Sequence, residues 1–335
     1  MGLKEALFYK KLEDDKVQCQ LCPRFCVIKN GERGNCGVRE NMNGKLFSLV
    51  YGKPCSIAID PIEKKPFYHF LPGTKSLSIA TVGCNFHCLH CQNYAISQAR
   101  VEDVPYIEAK PEEIVEQAKA NDVKSISFTY TEPTVFYEYM LDIAKLAKKE
   151  KIKCNIVSNG FINEKPLKKL IPYVRAANID LKGNALFYEK ICQARIEPVL
   201  ETIKLLHSKK VWVELTNLII PGYNDNVDEI KKMVSWILEN LGEDVPLHFS
   251  AFYPAYKLTN VPSTEPEFLI KARILAKHQG LNYVYTGNIL DEEGSTTFCA
   301  KCGKVLIVRK GFRVVKKDLK RGRCSCGEKI PGVWR

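Results

Sequence analysis

The middle of the chain, from about residue 74 to residue 290, alternates between two patterns of hydrophobic and polar residues. Short apolar runs rich in β-branched residues, such as residues 76–83 and 211–222, predict strands. Longer stretches between them, such as residues 135–150, repeat apolar positions at the spacing of an amphipathic helix. Repeated strand–helix units predict a parallel sheet, so we expect an α/β fold here, either an open doubly wound sheet or a barrel.

Both ends of the chain lose this periodicity and become rich in cysteine and turn residues. We therefore predict an N-terminal cysteine-rich metal-binding module over residues 1–73, the α/β domain over residues 74–290, and a C-terminal zinc-ribbon-like module over residues 291–335. The chain has 14 cysteines, most of them in closely spaced clusters, and such clusters in a reducing compartment favour metal binding over disulfides.

The C-terminal cysteines form two close pairs, Cys299 with Cys302 and Cys324 with Cys326, each followed by a glycine. Tight turns under paired cysteines are typical of a zinc ribbon, so these thiolates predict a structural zinc site. The N-terminal set suits either zinc or an auxiliary iron–sulfur cluster. It lacks a compact ferredoxin-type run, which favours zinc, although spacing alone does not separate the two. This set consists of Cys19, Cys22, Cys26 and Cys36.

A third group, Cys84, Cys88 and Cys91, lies in the loop after the first strand of the central domain. An iron–sulfur cubane is normally held by four thiolates, one for each iron, so three thiolates leave one iron open to a substrate or cofactor. Active sites of parallel βα folds gather at the carboxyl ends of the strands, where this loop falls. The alternative is a zinc site completed by His87 or His90.

The composition is that of an ordinary globular protein, with 335 residues, 45% of them hydrophobic, and no apolar stretch long enough to span a bilayer. The start of the chain mixes both charge signs where a secretory signal carries an apolar segment. We therefore expect a cytoplasmic protein with no membrane partner. The formal net charge of +12 counts every thiol as neutral, whereas each four-thiolate zinc site would contribute a charge of about −2. The net positive charge of the metal-bound protein is therefore smaller, but it stays positive.

Lysine and arginine are dense in residues 309–323, where apolar residues are interleaved with them. Such a run is typical of the solvated face of a hairpin, and it is also an electrostatic footprint for nucleic acid. Nucleic acid therefore stays an alternative partner that the sequence does not favour.

The Cx3Cx2C loop of residues 84–91 resembles the cluster loop of the radical S-adenosylmethionine (SAM) enzymes. Its continuation CQNY, residues 91–94, is similar to the pyruvate formate-lyase (glycyl-radical) activating enzyme branch. Residues 60–73 and the ending over residues 298–334 resemble the AmmeMemoRadiSam-system radical SAM enzymes. The resemblance extends over most of the chain and implies a partial (β/α)6-type barrel.

This resemblance implies a [4Fe–4S] cluster on Cys84, Cys88 and Cys91, with SAM as the second cofactor. In such enzymes, reductive cleavage of SAM yields methionine and a 5′-deoxyadenosyl radical that abstracts hydrogen from the substrate. The resemblance also implies a partner protein that donates the electron, such as ferredoxin or flavodoxin. The substrate, a small molecule or a protein, is not identified by the sequence.

Polar residues at the ends of the later strands are candidates to bind SAM, by their position and by the same resemblance. Glu132 lies in TYTEPT, where Tyr130 and Thr131 replace the two glycines usual in the family, and its carboxylate can accept a hydrogen bond from the SAM ammonium. Each candidate also has a plainer interpretation. Glu132 is then a carboxylate at a helix N-terminus, Ser158 and Asn159 belong to an Asn-Gly turn, and Asp180 and Lys182 form an ion pair on one strand face. The candidates are Glu132, Ser158, Asn159, Asp180, Lys182, Asn217 and His248.

Two alternatives to a radical enzyme acting on a small molecule or protein follow from the same sequence. The basic tail allows an RNA-modifying radical SAM enzyme, and the cysteine modules allow a non-catalytic metal-binding scaffold. Cleavage of SAM distinguishes an enzyme from the scaffold, and salt-dependent RNA binding distinguishes the RNA-modifying enzyme.

Overall fold

The N-terminal segment folds into two small antiparallel sheets in the computed structural model, which describes residues 3–335. Its short strands are β1 (Lys4–Glu5), β2 (Tyr9–Lys11), β3 (Val17–Cys19), β4 (Val27–Ile28), β5 (Arg39–Met42) and β6 (Lys45–Ser48). They pair in the orders β1-β6-β5 and β2-β3-β4. Asn43 and Gly44 join β5 to β6 with φ values of 52° and 74°, the left-handed backbone that a two-residue type I′ hairpin requires.

An eight-stranded sheet forms the centre of the molecule. Its strands are β7 (Ser56–Pro61), β8 (Lys75–Ala80), β9 (Ser125–Phe128), β10 (Lys153–Ser158), β11 (Ala176–Asp180), β12 (Trp212–Ile219), β13 (Leu247–Ala251) and β14 (Val284–Gly287). They lie in sequence order, with β8 to β14 parallel and β7 antiparallel to β8. The predicted parallel sheet is confirmed, and β7 adds a strand to it from residues 1–73.

Helices connect the parallel strands. They are α1 (Tyr94–Ser97), α2 (Pro111–Ala120), α3 (Tyr137–Lys149), α4 (Glu164–Leu170), α5 (Ala185–Phe187), α6 (Glu197–Ser208), α7 (Val227–Leu241), α8 (Pro266–His278) and α9 (Glu292–Ser295). Short 3₁₀ turns span Ile62–Lys64, Pro133–Phe136 and Ile171–Tyr173, and a π-helical turn spans Tyr188–Cys192. No helix within residues 3–335 is both long and apolar enough to cross a membrane.

Helix α7 shows why these segments are helical. Ile230, Val234, Ile237 and Leu241 are buried at spacings of three and four residues, which is the period of one helix face. Asn226 caps the helix, because its side chain accepts hydrogen bonds from two backbone N–H groups of the first turn. The amphipathic pattern therefore buries one side of α7 and leaves its charged side in water.

The central sheet curls round one cavity, because residues at or after the carboxyl ends of all seven parallel strands line the same space. Strands β7 and β14 are its two edges, so the barrel is open. The predicted α/β fold with a partial barrel is confirmed. The parallel part has one strand more than a (β/α)6 arrangement, and the additional strand is β14.

The C-terminal module is an antiparallel sheet of β15 (Thr297–Phe298), β16 (Val305–Lys310) and β17 (Arg313–Lys317), in the order β15-β16-β17. Arg309 fastens it to the barrel, because its guanidinium donates to the Tyr68 carbonyl at 2.8 Å and lies 3.7 Å from Glu63 Oε1. Arg309 and Glu63 are both buried. Removing either partner would leave an uncompensated buried charge, so module and barrel depend on each other.

His69 makes a second buried connection between the barrel and the end of the chain. Its Nδ1 lies 2.7 Å from the Pro331 carbonyl oxygen and its Nε2 lies 2.6 Å from the Tyr285 hydroxyl. A carbonyl oxygen can only accept, so Nδ1 carries the proton and Nε2 accepts from Tyr285. Burial lowers the pKa of His69 to about 4, so the ring is neutral at pH 7.

Candidate active site and metal sites

A cavity of about 370 Å³ opens at the carboxyl ends of the barrel strands. Six of the seven residues predicted to bind SAM line it, namely Glu132, Ser158, Asn159, Asp180, Lys182 and His248. The structure does not bring Asn217 to the cavity. Thr216 and Leu218 face the cavity, and successive residues of a strand point to opposite faces. The Asn217 side chain instead donates to the Leu181 carbonyl at 2.7 Å.

Cys84, Cys88 and Cys91, the three-cysteine loop, also line this cavity. The backbone N–H of Phe86 donates to Cys84 Sγ at 3.3 Å, and Ser97 Oγ lies 3.1 Å from Cys91 Sγ. Burial raises the pKa of Cys84 well above its usual value. A buried thiol of this kind is stable as a thiolate only beside positive charge, which a bound metal supplies.

The spacing of the sulfur atoms differs between the cysteine groups. Four thiolates bound at about 2.3 Å to one tetrahedral zinc ion lie about 3.8 Å apart. In the C-terminal quartet, Cys299 to Cys326 and Cys302 to Cys324 are both 3.7 Å apart, and all four sulfurs lie within 4.8 Å of one another. Within residues 3–335, no other group of three or more such ligands is so close. The C-terminal quartet therefore has single-ion geometry, and the other two groups do not.

Within residues 3–335, neither histidine considered as a zinc ligand forms a close group of metal ligands with the three-cysteine loop. The ring nitrogens of His87 contact Gln98 Oε1 at 2.6 Å and Asn35 Oδ1 at 3.0 Å. His90 lines the cavity, and its buried Nδ1 has no hydrogen-bond partner among the described residues. Burial and the positive charge of Lys182 lower the pKa of His90 to about 3. His90 is therefore a neutral group with one nitrogen free to bond a ligand.

Glu132 is buried, and its carboxylate accepts four hydrogen bonds from the ends of neighbouring strands. Oε1 accepts from the Thr134 backbone N–H at 2.9 Å, from Thr134 Oγ1 at 2.7 Å and from Ser158 Oγ at 2.8 Å. Oε2 accepts from the Asn159 backbone N–H at 2.8 Å. The carboxylate thus caps the 3₁₀ turn at Pro133–Phe136, as the plainer of its two interpretations expects, and it also ties together the ends of β9 and β10. Its contact with a SAM ammonium stays a prediction.

Asn159 connects this network to the three-cysteine loop. Its Nδ2 donates to Asn85 Oδ1 at 2.8 Å and lies 3.8 Å from Cys84 Sγ. On the other side, the Arg24 guanidinium donates to the Asn85 carbonyl through two nitrogens, at 3.0 and 2.9 Å. The loop is therefore held between the barrel and the N-terminal segment.

Asp180 and Lys182 lie on one face after β11, as their spacing predicts, and form an ion pair at 2.8 Å. Burial opposes the charge of Lys182, yet the negative charges of Asp180 and Cys88 raise its pKa well above the usual value. The π-helical turn that carries Cys192 packs against the three-cysteine loop, because the backbone N–H groups of His87 and Leu89 donate to the Cys192 and Ile191 carbonyls at 3.2 and 2.9 Å. Cys192 comes close to Cys88 because it lies on the π-helical turn. No ligand spacing in the sequence predicts this proximity.

A charged group formed by Asp60, Lys65 and Tyr130 was not predicted from the sequence. Lys65 Nζ lies 2.7 Å from Asp60 Oδ2 and 3.9 Å from the centre of the Tyr130 ring, and the Tyr130 hydroxyl donates to the same carboxylate. Burial lowers the pKa of Lys65 to about 8. Tyr130 has a φ of 68°, the left-handed backbone that favours glycine, so the chain keeps a glycine-like turn here.

His248 lines the cavity from β13 and is paired with a second buried carboxylate. Its Nε2 lies 2.8 Å from Glu214 Oε2, and its ring stacks on Tyr285 with 5.2 Å between ring centres. Glu214 also accepts the backbone N–H groups of Tyr68 and His69 at 2.9 and 2.8 Å. These contacts fix the orientation of the His248 ring in the wall of the cavity.

Comparison with known proteins agrees with this site. A model of the radical SAM superfamily matches residues 78–237, which include the three-cysteine loop. The chain is 52% identical over 331 residues to the uncharacterized protein MJ0808 of Methanocaldococcus jannaschii, covering 98% of this chain and 99% of that protein. It is 25% identical over 167 residues to 7-carboxy-7-deazaguanine synthase of the same organism, covering 44% of this chain and 67% of the synthase.

Among solved structures, a domain of the pyruvate-formate lyase-activating enzyme from Bacteroides vulgatus is similar, with a TM-score of 0.44 and 16% identity. That match covers 49% of this chain and 99% of the domain. As its cysteine loop predicts, residues 78–237 of the chain belong to the radical SAM superfamily, whose members are enzymes.

Proposed function

We propose that this chain uses a [4Fe–4S] cluster to cleave SAM reductively and to start a radical reaction on a substrate held in the barrel cavity. The observation that supports this most is the three-cysteine loop, which lines the same cavity as the polar strand ends. Its sulfurs are spaced more widely than ligands of a single ion, as expected when each thiolate binds a different iron. Cys84, Cys88 and Cys91 would hold three of the irons.

When bound, the cluster and SAM supply a 5′-deoxyadenosyl radical, with methionine as the other product, and this radical abstracts hydrogen from the substrate. The residues of the chain bind and orient. Asp180 and Lys182 offer both charge signs to the zwitterionic methionine part of SAM. Asn159 holds Cys84, and the free nitrogen of neutral His90 is available to a bound ligand.

Anaerobic reduction with dithionite in the presence of SAM tests this proposal. We expect mass spectrometry to detect 5′-deoxyadenosine and methionine, and we expect added cell extract to raise the yield of 5′-deoxyadenosine if it contains the substrate. Complete absence of both products from protein whose iron–sulfur cluster has been verified by spectroscopy would contradict the proposal. That outcome would favour the alternative of a non-catalytic scaffold.

The substrate we propose is a small molecule or an exposed segment of a protein. The cavity volume lies at the lower end of the range of about 300–1,000 Å³ that is usual for small-molecule sites. Phe312, at the turn between β16 and β17, also lines the cavity, so the C-terminal module forms part of its mouth. For the electron we propose a donor protein such as ferredoxin or flavodoxin.

We further propose that the C-terminal quartet holds structural zinc. Besides the sulfur distances, the turns after the first cysteine of each pair support this. The backbone N–H of Gly303 donates to the Cys299 carbonyl at 2.9 Å, and that of Gly327 donates to the Cys324 carbonyl at 3.0 Å. Both glycines have positive φ, 73° and 90°, which makes the tight turn of a zinc knuckle accessible.

The RNA-modifying alternative has less support from the cavity. An RNA substrate would require unpaired basic groups beside the reacting atoms to neutralise phosphates. The lysines that line the cavity are instead in ion pairs, Lys182 with Asp180, and Lys64 and Lys65 both with Asp60. This leaves the exposed lysines and arginines of the C-terminal module as the surface available to a polyanion.

Replacing Lys316, Lys320 and Arg321 with serine is expected to leave SAM cleavage within a few-fold of the parent, with or without extract that contains the substrate. These side chains are exposed, whereas Lys317 is spared because its Nζ donates to the Pro72 carbonyl at 3.3 Å. The measurement is 5′-deoxyadenosine formation, and the control variant exchanges lysine and arginine at the same three positions. Loss of the extract-dependent part only, with rescue by the control, would show that the tail recruits an acidic substrate such as RNA.

A further inference from the structure

The four N-terminal cysteines converge on one small cavity, although they come from three different pieces of chain. Cys19 ends β3, Cys22 lies in the following turn, Cys26 precedes β4, and Cys36 lies in the loop before β5. The backbone N–H of Cys19 donates to the Cys26 carbonyl at 2.9 Å, which brings the first and third together. All four line the same cavity, and we call them the N-terminal quartet.

The sulfur spacing of the N-terminal quartet differs from that of the C-terminal quartet in the same chain. No three of its sulfurs lie within 4.8 Å of one another, whereas all four of the C-terminal sulfurs do. A single zinc ion requires sulfurs about 3.8 Å apart. An iron–sulfur cubane places its thiolates farther apart, because each binds a different iron. The N-terminal quartet therefore shares its wider spacing with the three-cysteine loop, not with the zinc-like site.

Hydrogen-bond donors are directed at these sulfurs from a buried environment. Arg39 is 1% exposed and lines the cavity, with Nη1 3.8 Å from Cys19 Sγ. The backbone N–H of Asn35 donates to Cys26 Sγ at 3.4 Å. Glu138 pairs with Arg39 from the other side, and Arg39 Nε is buried with no partner among the described residues. Donors of this kind stabilise the negative charge of a thiolate cluster.

We propose that the N-terminal quartet holds a second [4Fe–4S] cluster, ligated by cysteine at all four irons. This cofactor replaces the zinc that the sequence pattern favours at these residues. With no iron open, the second cluster has no place for SAM or substrate, so electron exchange is the chemistry that it supplies. The site does not rest on the proposed reaction, because the residues that form it are separate from the three-cysteine loop.

The second site lies directly against the three-cysteine loop. Asn85, the residue after Cys84, lines the cavity of the N-terminal quartet. A Cβ atom added to Gly83 would lie 2.9 Å from the Cys36 carbonyl oxygen, which is too close for any side chain. The backbone before Cys84 therefore packs directly against the backbone at Cys36. In this position the second cluster can pass one electron from a ferredoxin- or flavodoxin-type donor toward the active site. The donor is oxidised as the second cluster is reduced, and the second cluster is oxidised again as the active-site cluster is reduced. No bond is made or broken in these transfers.

Metal content of protein purified anaerobically from iron-supplemented cells, without chemical reconstitution, tests this site. We expect about eight irons and about one zinc per chain. A variant with Cys84, Cys88 and Cys91 all replaced by alanine leaves the N-terminal quartet intact, and we expect it to keep about four irons. After dithionite reduction, electron paramagnetic resonance of this variant should show a cluster signal that added SAM does not change, because no iron is open.

The reciprocal variant is Cys22→Ser, which we expect to lose about four irons while keeping the SAM-sensitive signal of the other cluster. Cys55→Ala is the matched control for loss of one thiol, because Cys55 lies outside all three metal groups, and its iron content should equal that of the parent. The proposal is overturned if the triple alanine variant contains no iron and the parent contains about two zincs. The metal counts do not depend on SAM cleavage. Failure of the parent to cleave SAM would therefore contradict the proposed reaction without contradicting the second cluster.

Discussion

Replacing Cys88 with alanine is expected to abolish formation of 5′-deoxyadenosine from SAM and to remove the SAM-sensitive cluster signal. Cys88 is buried in the wall of the cavity, and its removal leaves Cys84 and Cys91 as the remaining thiolates of the three-cysteine loop. A cubane held by only two thiolates has two unprotected irons and is lost. Zinc content should not change, because the C-terminal quartet lies in a separate module.

The measurement is mass spectrometry of the products after dithionite reduction, together with iron and zinc analysis of the same sample. Cys154→Ala is the matched control, because Cys154 is also buried but lies on β10 outside the metal groups. We expect the control to keep its cluster and its activity, apart from a modest loss of stability for a smaller buried side chain. Retained SAM cleavage by Cys88→Ala would show that the three-cysteine loop is not the site of the chemistry.

The fold was largely predictable because its elements are set by local patterns. Alternating strand and helix periods specify the parallel sheet from β8 to β13, and parallel strands place their carboxyl ends at one edge. β7 could not be assigned in the same way. Its residues, Ser56–Pro61, look like the end of the cysteine-rich segment, and only pairing with β8 makes them part of the barrel.

The candidate site was predictable where it depends on strand ends and not where it depends on side-chain direction. Asp180 and Lys182 follow from an i, i+2 spacing, whereas Asn217 is one residue out of phase with its neighbours and points to the other face. The group of Lys65, Asp60 and Tyr130 joins residues far apart in sequence, so no local pattern reveals it.

The two quartets show the same limit for metals. Spacing along the chain does not distinguish zinc from a cluster, because the identity of the metal depends on distances between sulfurs. In the C-terminal module two short turns set those distances, so the knuckle pattern is visible in the sequence. In the N-terminal quartet they depend on how two strands and a loop pack against the barrel, and only the folded chain shows the wider spacing.

Replacing Cys302 with serine is expected to release zinc and to unfold the C-terminal module. Cys302 is exposed, so the change removes a ligand without removing buried packing. Structural zinc supplies about 10–16 kcal/mol of apparent binding free energy in zinc-finger peptides, and binding free energy of this kind is folding free energy. The zinc content should fall from about one ion per chain to near zero, and limited proteolysis should cut within the module, residues 291–335.

The barrel should lose stability together with the module, because Arg309 would no longer lie beside Glu63. Breaking a buried ion pair by removing one partner costs on the order of 3–5 kcal/mol, and water entering the opened interface would reduce that cost. Urea unfolding of the barrel should therefore shift to lower urea in Cys302→Ser, and removing zinc from the parent with a chelator should give the same shift. Lys301→Ala is the matched control, since Lys301 is the exposed neighbour of Cys302 and binds no metal. A variant that lacks zinc but keeps the parent's proteolysis pattern and urea midpoint would show that the quartet does not hold the module together, and that Arg309 alone fastens it to the barrel.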